Sequence, residues 1–341
     1  MGRDAEGSER ETCGNGGIVM MYRLSEKHEK DLRPCCDGYA DALLEMMKEN
    51  DKVIHIDCDL MGCIDVGKVK AVFPDRVLNA GIAEANAIGV AAGMAATGMI
   101  PFVHSFGVFA SRRAFDQAYL SAGYSRWPVH VIGSDPGVTA AFNGATHMPF
   151  EDAGLYLDIP NATVIDPCDY NEAFSLSRKL LNEKYVTYMR LIRRDHIQVY
   201  EDGSEFEIGK GILLKEGTDV TIIASGILVY NALVAAEKLE AMGISASLID
   251  MHTWKPLDED LLLKDVAKTG AVVTAENHQV SCGLGSAVAN VLIRKLPVPQ
   301  EFIGNQGRFG QCGPQADLER EYHMTADDIA AAALRAIDRK G

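Results

Sequence analysis

No apolar run in the 341-residue chain approaches the ~20 residues that span a bilayer. The polar start, residues 1–17, lacks the basic-then-apolar order of a secretion signal. The chain therefore reads as cytoplasmic, with no membrane role. Cations are scarce: 33 Lys and Arg against 48 Asp and Glu give a formal charge of −15. Such a surface repels a phosphate backbone, which argues against nucleic-acid binding. None of the eight cysteines forms a C-x-x-C pair, so neither a zinc ribbon nor a dithiol redox motif is indicated. A G-x-x-x-x-G-K-[ST] loop is absent, and Gly283-Leu284-Gly285 lacks the third glycine of a dinucleotide fingerprint.

What is present is an α/β chain. A hydrophobic share of 47% excludes disorder as the main state. Apolar strands at 53–56, 99–103, 129–132, 163–165 and 186–191 alternate with helical stretches at 37–49, 83–97 and 112–122. That alternation predicts βαβ units and a mostly parallel sheet covered on both faces. The boundaries read as an arm over 1–31, a first domain over 32–195, a linker over 196–204 and a second α/β domain over 205–341. In the second domain, Gly226 and Gly283-Leu284-Gly285 each stand where a strand enters a helix. Such turns either pack helix on strand or cradle a phosphate. Thr325, followed by Asp327 and Asp328, reads as the N-cap of a last helix.

Chemistry concentrates in the first domain. Glu84 is a single carboxylate opening a helix of small apolar residues, and it is either a helix-start acid favoured by the dipole or a ligand contact. Phe106 and Phe109 follow a strand at the carboxyl edge of the sheet, where open α/β sheets bind ligands. The loop Asn143-Gly144-Ala145-Thr146-His147 brings a histidine to the same edge.

Taken in order, Gly81-Ile82-Ala83-Glu84-x-Asn86, then Ser105-Phe106-x-x-Phe109-Ala110-x-Arg112-Arg113-Ala114-x-Asp116-Gln117, then Gly144-Ala145-Thr146-His147, resemble the transketolase family. The resemblance runs from about Asp37 to Ile337. It is to the C-terminal half, which split enzymes carry as a separate chain. It implies a pyrimidine-type thiamine-diphosphate-binding domain followed by a smaller transketolase C-terminal-type domain. The implied activity is transfer of a two-carbon ketol unit from a ketose to an aldose. Glu84 would hold the aminopyrimidine N1′, with Phe109 stacked on that ring, Phe106 closing the pocket, and Asp59 and Arg112 also at the cofactor. His147 would meet a sugar oxygen, and Arg193 would receive the acceptor's phosphate.

Where the family carries an aspartate that reads a donor hydroxyl, this chain has Asn143. Where the family carries phosphate-holding groups, it has Cys36 and Cys63. Ordinary pentose phosphates are therefore in doubt as substrates. The G-D-G element that holds Mg²⁺ and the diphosphate is missing, so no metal ligand is assigned to this chain. The resemblance thus implies a partner carrying the N-terminal half, in an α2β2 heterotetramer acting on small sugars or sugar phosphates. Alternatives are a 1-deoxyxylulose-5-phosphate-synthase-like or 2-oxoacid-dehydrogenase β-like enzyme, or a non-catalytic paralogue that binds or regulates.

Overall fold

A computed structural model describes residues 22–194 and 196–340. Most of the predicted arm, residues 1–21, lies outside the described residues. The first sheet is built from β1 (Val53–Asp57), β2 (Val77–Asn79), β3 (Ile100–Phe106), β4 (His130–Ser134), β5 (Thr163–Ile165) and β6 (Thr187–Leu191). Helices Cys35–Glu49 and Tyr170–Lys179 pack against each other beside this sheet, while Glu84–Ala96 packs on β3. The second domain holds β7 (Ile212–Lys215), β8 (Val220–Ala224), β9 (Ala246–Asp250), β10 (Thr253–Lys255), β11 (Val272–Gln279) and β12 (Gln300–Asn305). Its helices include Leu228–Ala241, Leu284–Lys295 and Ala326–Asp338, the last opened by a Thr325–Asp328 capping box.

The sheet orders are β10-β5-β6-β4-β3-β1-β2 and β12-β11-β8-β9-β7. All pairings are parallel except β10 with β5 and β7 with β9. β1, β4, β6, β8 and β9 are buried along their whole length, as strands covered on both faces must be.

The structure departs from the sequence expectations in three places. β10 belongs by sequence to the second domain yet completes the sheet of the first. The stretch expected as one helix over 112–122 is instead two wide turns, Phe109–Arg113 and Ala118–Tyr124, joined by a short helix. There the Ser111 hydroxyl donates to the Gly107 carbonyl at 2.6 Å, competing with the helical ladder. Residues 22–31, at the end of the expected arm, bridge the expected linker through Leu24–Tyr200 and Lys30–Ile197.

A buried cation joins the domains. Arg190 on β6 is fully buried and pairs with both oxygens of Asp152 at 3.0 and 3.1 Å. It also donates to the Asn277 carbonyl of β11 at 2.9 Å and lies 3.4 Å from Asp166. Burial alone would raise the Asp152 carboxyl, but Arg190 and His278 outweigh it and hold the group below its usual range. With the cation so engaged, burial pushes Asp166 up and Glu276 up to about 8. The Asn277 amide accepts from Val138 N–H at 2.8 Å and donates to the Pro136 carbonyl at 2.9 Å, gripping the loop after β4. Gly137 in that loop has φ +49°, and a Cβ there would collide with the Asn277 amide.

A second junction is acidic. Glu172 from the first domain and Asp250 from β9 are both buried, and Asp250 accepts from Tyr200 Oη at 2.6 Å. Burial pushes Asp250 up to about 7, against hydrogen bonds from Tyr200 and Glu172, and it pushes Glu172 well above its ordinary value. Burial thus biases both carboxyls toward the protonated form. An unfolded Asp releases its proton near pH 4. The stabilisation is therefore full below that pH and is lost as pH rises through about 7. Urea midpoints measured from pH 5 to 8 should fall for the wild type relative to Asp250→Asn. Parallel profiles would show that burial does not raise Asp250.

Candidate active site

Glu84 is the first residue of the helix Glu84–Ala96, and it is 2% exposed. The small residues behind it, Ala87, Ala91 and Ala92, bring the helix close to the sheet. A carboxylate so buried needs compensation. It accepts from Ser105 Oγ of β3 at 3.0 Å and from Arg113 at 2.8 Å, at the positive end of its own helix. Each oxygen has one such partner, which leaves acceptor capacity for a further N–H. Arg113 also lies 4.1 Å over the Phe109 ring, tying the carboxylate to the aromatic wall.

That wall is formed by Phe106, Phe109 and His147. Phe106 is the last residue of β3 and Phe109 opens the first wide turn. His147 ends the 3₁₀ turn Ala145–His147 and stands edge-on to both rings, at 5.8 and 5.2 Å between centroids. Thr146 Oγ1 lies 2.8 Å from its Nδ1.

At the other end of the wall, Arg193 sits 5.3 Å over Phe106. Its Nε is 3.0 Å from each oxygen of Asp135, and its Nη2 is 2.7 Å from Oδ2. Asn143 approaches the same Oδ2 at 3.4 Å. Cys63 Sγ lies 3.7 Å from Arg193 Nη1, and the Cys36 thiol points to the Cys63 carbonyl at 3.7 Å. The positions singled out in sequence as departures, Cys36, Cys63 and Asn143, thus converge on one ion pair.

Beneath the wall runs a buried polar chain. Tyr39 Oη and His55 Nδ1 are 2.9 Å apart, His55 Nε2 lies 3.6 Å from Asp57, and His104 Nδ1 lies 2.8 Å from the same carboxylate. His104 Nε2 reaches Ser134 Oγ at 3.0 Å, so the chain crosses the carboxyl ends of β1, β3 and β4. Burial would raise Asp57, but the hydrogen bond with His104 and the nearby His55 hold it well below the usual carboxylate range. Asp57 also accepts the Leu60 N–H, shaping the turn that carries Asp59. Asp59 has φ +65° and is held by Asn79, whose amide donates to Oδ1 at 2.9 Å.

Glu84, Phe106, Phe109, His147, Asn143 and Arg193 therefore line one continuous edge. Arg112 is turned away onto Glu151 at 2.9 Å, and its neighbour Arg113 reaches Glu84 instead. Asp135, Ser105, Arg113 and the Asp57–His104 pair were not singled out from sequence. A lone acid directly after a strand, in Ser134-Asp135-Pro136-Gly137, was the available signal for Asp135. The glycine turns of the second domain hold no free anion cradle. The N–H groups of Leu284 and Gly285 bind Glu276 at 2.7 and 2.8 Å, and a Cβ on Gly226 would meet the Asp166 carboxylate at 2.6 Å.

Two α/β domains with this edge define a class, a pyrimidine-binding domain with its C-terminal companion. Residues 35–196 match the transketolase pyrimidine binding domain and residues 209–329 the transketolase C-terminal domain. A 6-deoxy-6-sulfo-D-fructose transketolase subunit of Clostridium sp. (strain MSTE9) is 45% identical over 304 residues, 89% of this chain and 94% of that one. An apulose-4-phosphate transketolase subunit of Phocaeicola vulgatus is 31% identical over 306 residues, 89% and 98% of the two chains. A solved structure described as a split gene transketolase, inactive beta4 tetramer, superposes with a TM-score of 0.83 at 38% identity, covering 90% of this chain and 99% of that one. The chain belongs to the transketolase family and corresponds to the C-terminal section of its split members.

Glu84→Gln removes a charge at a helix start and one of two acceptors, a loss of about 1–2 kcal/mol. Against a total of about 5–15 kcal/mol, the variant should stay folded. Its urea midpoint should shift only modestly, and loss of cooperative unfolding would show that Glu84 is needed to build the site.

Proposed function

We propose that the chain is the pyrimidine-side subunit of a thiamine-diphosphate-dependent transketolase. It would work in the cytoplasm with a partner that carries the N-terminal half, as an α2β2 heterotetramer. The observation that carries the reading is the buried Glu84 carboxylate with acceptor capacity to spare, linked through Arg113 to a half-buried wall of two phenylalanines and a histidine. That acceptor and ring set suits an aminopyrimidine, which offers a polar edge and a flat apolar face. When bound, thiamine diphosphate supplies a carbon nucleophile able to take up a two-carbon ketol unit and pass it to an aldehyde.

The chain's own residues have distinct tasks. Glu84 holds and shares a proton at the pyrimidine N1′, and its dry surroundings strengthen that bond. Phe109 orients the ring and Phe106 excludes water. His147, at the rim, meets a sugar hydroxyl or carbonyl oxygen, and Arg193 and Asn143 face the sugar's far end. Asp59 adds a polar contact near the cofactor. The partner holds the diphosphate and most of the Mg²⁺ shell. The relatives named for a sulfonated hexose and for apulose phosphate support ketol transfer as the common chemistry with differing sugars.

In complex with its partner, the Glu84→Gln variant should lose about 100-fold or more in kcat, the scale of general acid–base catalysis. Wild-type turnover should release no carbon dioxide from pyruvate. Near-normal activity of the variant would sink the role of Glu84, and carbon dioxide release would point to synthase-type chemistry. Calorimetry of the isolated chain should show weak binding of thiamine diphosphate with Mg²⁺, whereas tight Mg²⁺-dependent binding would count against a split enzyme.

A further inference from the structure

We infer that Asp135 is a specificity-determining residue that makes the Arg193 end of the site electrically neutral and so selects sugars ending in a hydroxyl over sugars ending in a phosphate dianion. The inference rests on the ketol-transfer reading of the site, with the sugar's far end toward Arg193.

The geometry begins with commitment of the guanidinium. Nε and Nη2 of Arg193 are both taken by Asp135, at 3.0, 3.0 and 2.7 Å, leaving Nη1 facing the Cys63 sulfur at 3.7 Å. The bidentate pairing is the same fork that would otherwise grip a phosphate. Asp135 cannot swing aside to release it. Its side chain is fully buried, its backbone N–H is bound to the Leu191 carbonyl at 3.1 Å, and its φ is +60°. The next residues, Pro136 and Val138, are held across the domain junction by Asn277. A non-glycine residue kept in the left-handed region by its surroundings is a common mark of a functional position.

The side chains that touch the Arg193–Asp135 pair, Cys63 and Asn143, add no cation. Burial pushes the Cys36 and Cys63 thiols up, so neither carries charge at neutral pH. Asp37 lies 3.8 Å from the Cys36 sulfur and brings a further negative group. Asn143 contributes only an amide, already turned toward Asp135 at 3.4 Å. A phosphate dianion entering here would lose its water and meet a carboxylate beside the arginine, so attraction and repulsion offset each other. A hydroxyl brings no charge of its own, and it can accept from the part of the Arg193 guanidinium that still reaches solvent while Asp135 stays buried behind it.

The test compares ribose 5-phosphate with ribose binding to the full chain by calorimetry, without thiamine diphosphate and without turnover. Asp135→Asn and Asp135→Gly both tolerate a positive φ, so one folded variant suffices. The wild type should bind ribose 5-phosphate no more tightly than ribose. Either variant should shift that ratio about tenfold or more toward the phosphate, the scale of one charge-assisted contact. Adding Arg193→Gln to the variant should abolish the shift. The inference is overturned by an unchanged ratio, by the absence of any binding in the variants, by a wild type that already prefers the phosphate tenfold, or by a shift that survives loss of Arg193. None of these outcomes depends on Glu84, whose failure in turnover would instead remove the ketol-transfer reading.

Discussion

A guanidinium with no access to water has to be neutralised where it lies, and the placement of Arg190 governs much of the molecule. The residue stands on β6, near the middle of the first sheet, yet its partners come from a helix of the same domain, from the loop after β5 and from β11 of the other domain. Separating the domains would strip it of the Asn277 carbonyl, and Asn277 would in turn release the loop at Pro136 and Val138. The loop after β4 is thus shaped from across the domain junction. The second domain contributes to the site without placing a side chain at Glu84.

The same economy of charge recurs at the two ends of the aromatic wall. An acidic chain has few cations to spend on burial, and each one found at the site is matched to a specific carboxylate. Arg113 serves Glu84 with part of its side chain still in solvent, so that carboxylate keeps room for another partner. Arg193 is closed on Asp135 by three contacts, so that pair is nearly saturated. One carboxylate keeps room for a further hydrogen bond, and at the other end the guanidinium is closed on its own acid.

Much of the fold was legible in the sequence because parallel strands buried on both faces leave continuous apolar runs, as in Val53-Ile54-His55-Ile56 and Val129-His130-Val131-Ile132. β2, β7, β10 and β12 escaped because short or edge strands carry little of that signal. The wide turns at 109–124 escaped because a hydroxyl competing for backbone carbonyls leaves no mark on periodicity. Glu84, Phe106, Phe109 and His147 were legible through ordered motifs, whereas Asp135 was not, since its meaning depends on Arg193, far away in sequence. Adjacent arginines in one motif do not reveal which of them turns inward, and here it is Arg113. The glycine turns looked equally able to bind phosphate or to pack, and only the carboxylates of Glu276 and Asp166 decide it.

The position of β10 bears on how such a chain can be made and divided. The first domain's sheet ends at β5 until Thr253–Lys255 arrives from well inside the second domain and pairs antiparallel with it. During synthesis the first domain therefore waits with an open strand edge, the kind of edge that recruits unrelated strands. A gene cut between the two domains would make that exposure permanent. The first domain's sheet is therefore complete only in a chain that also carries the second domain.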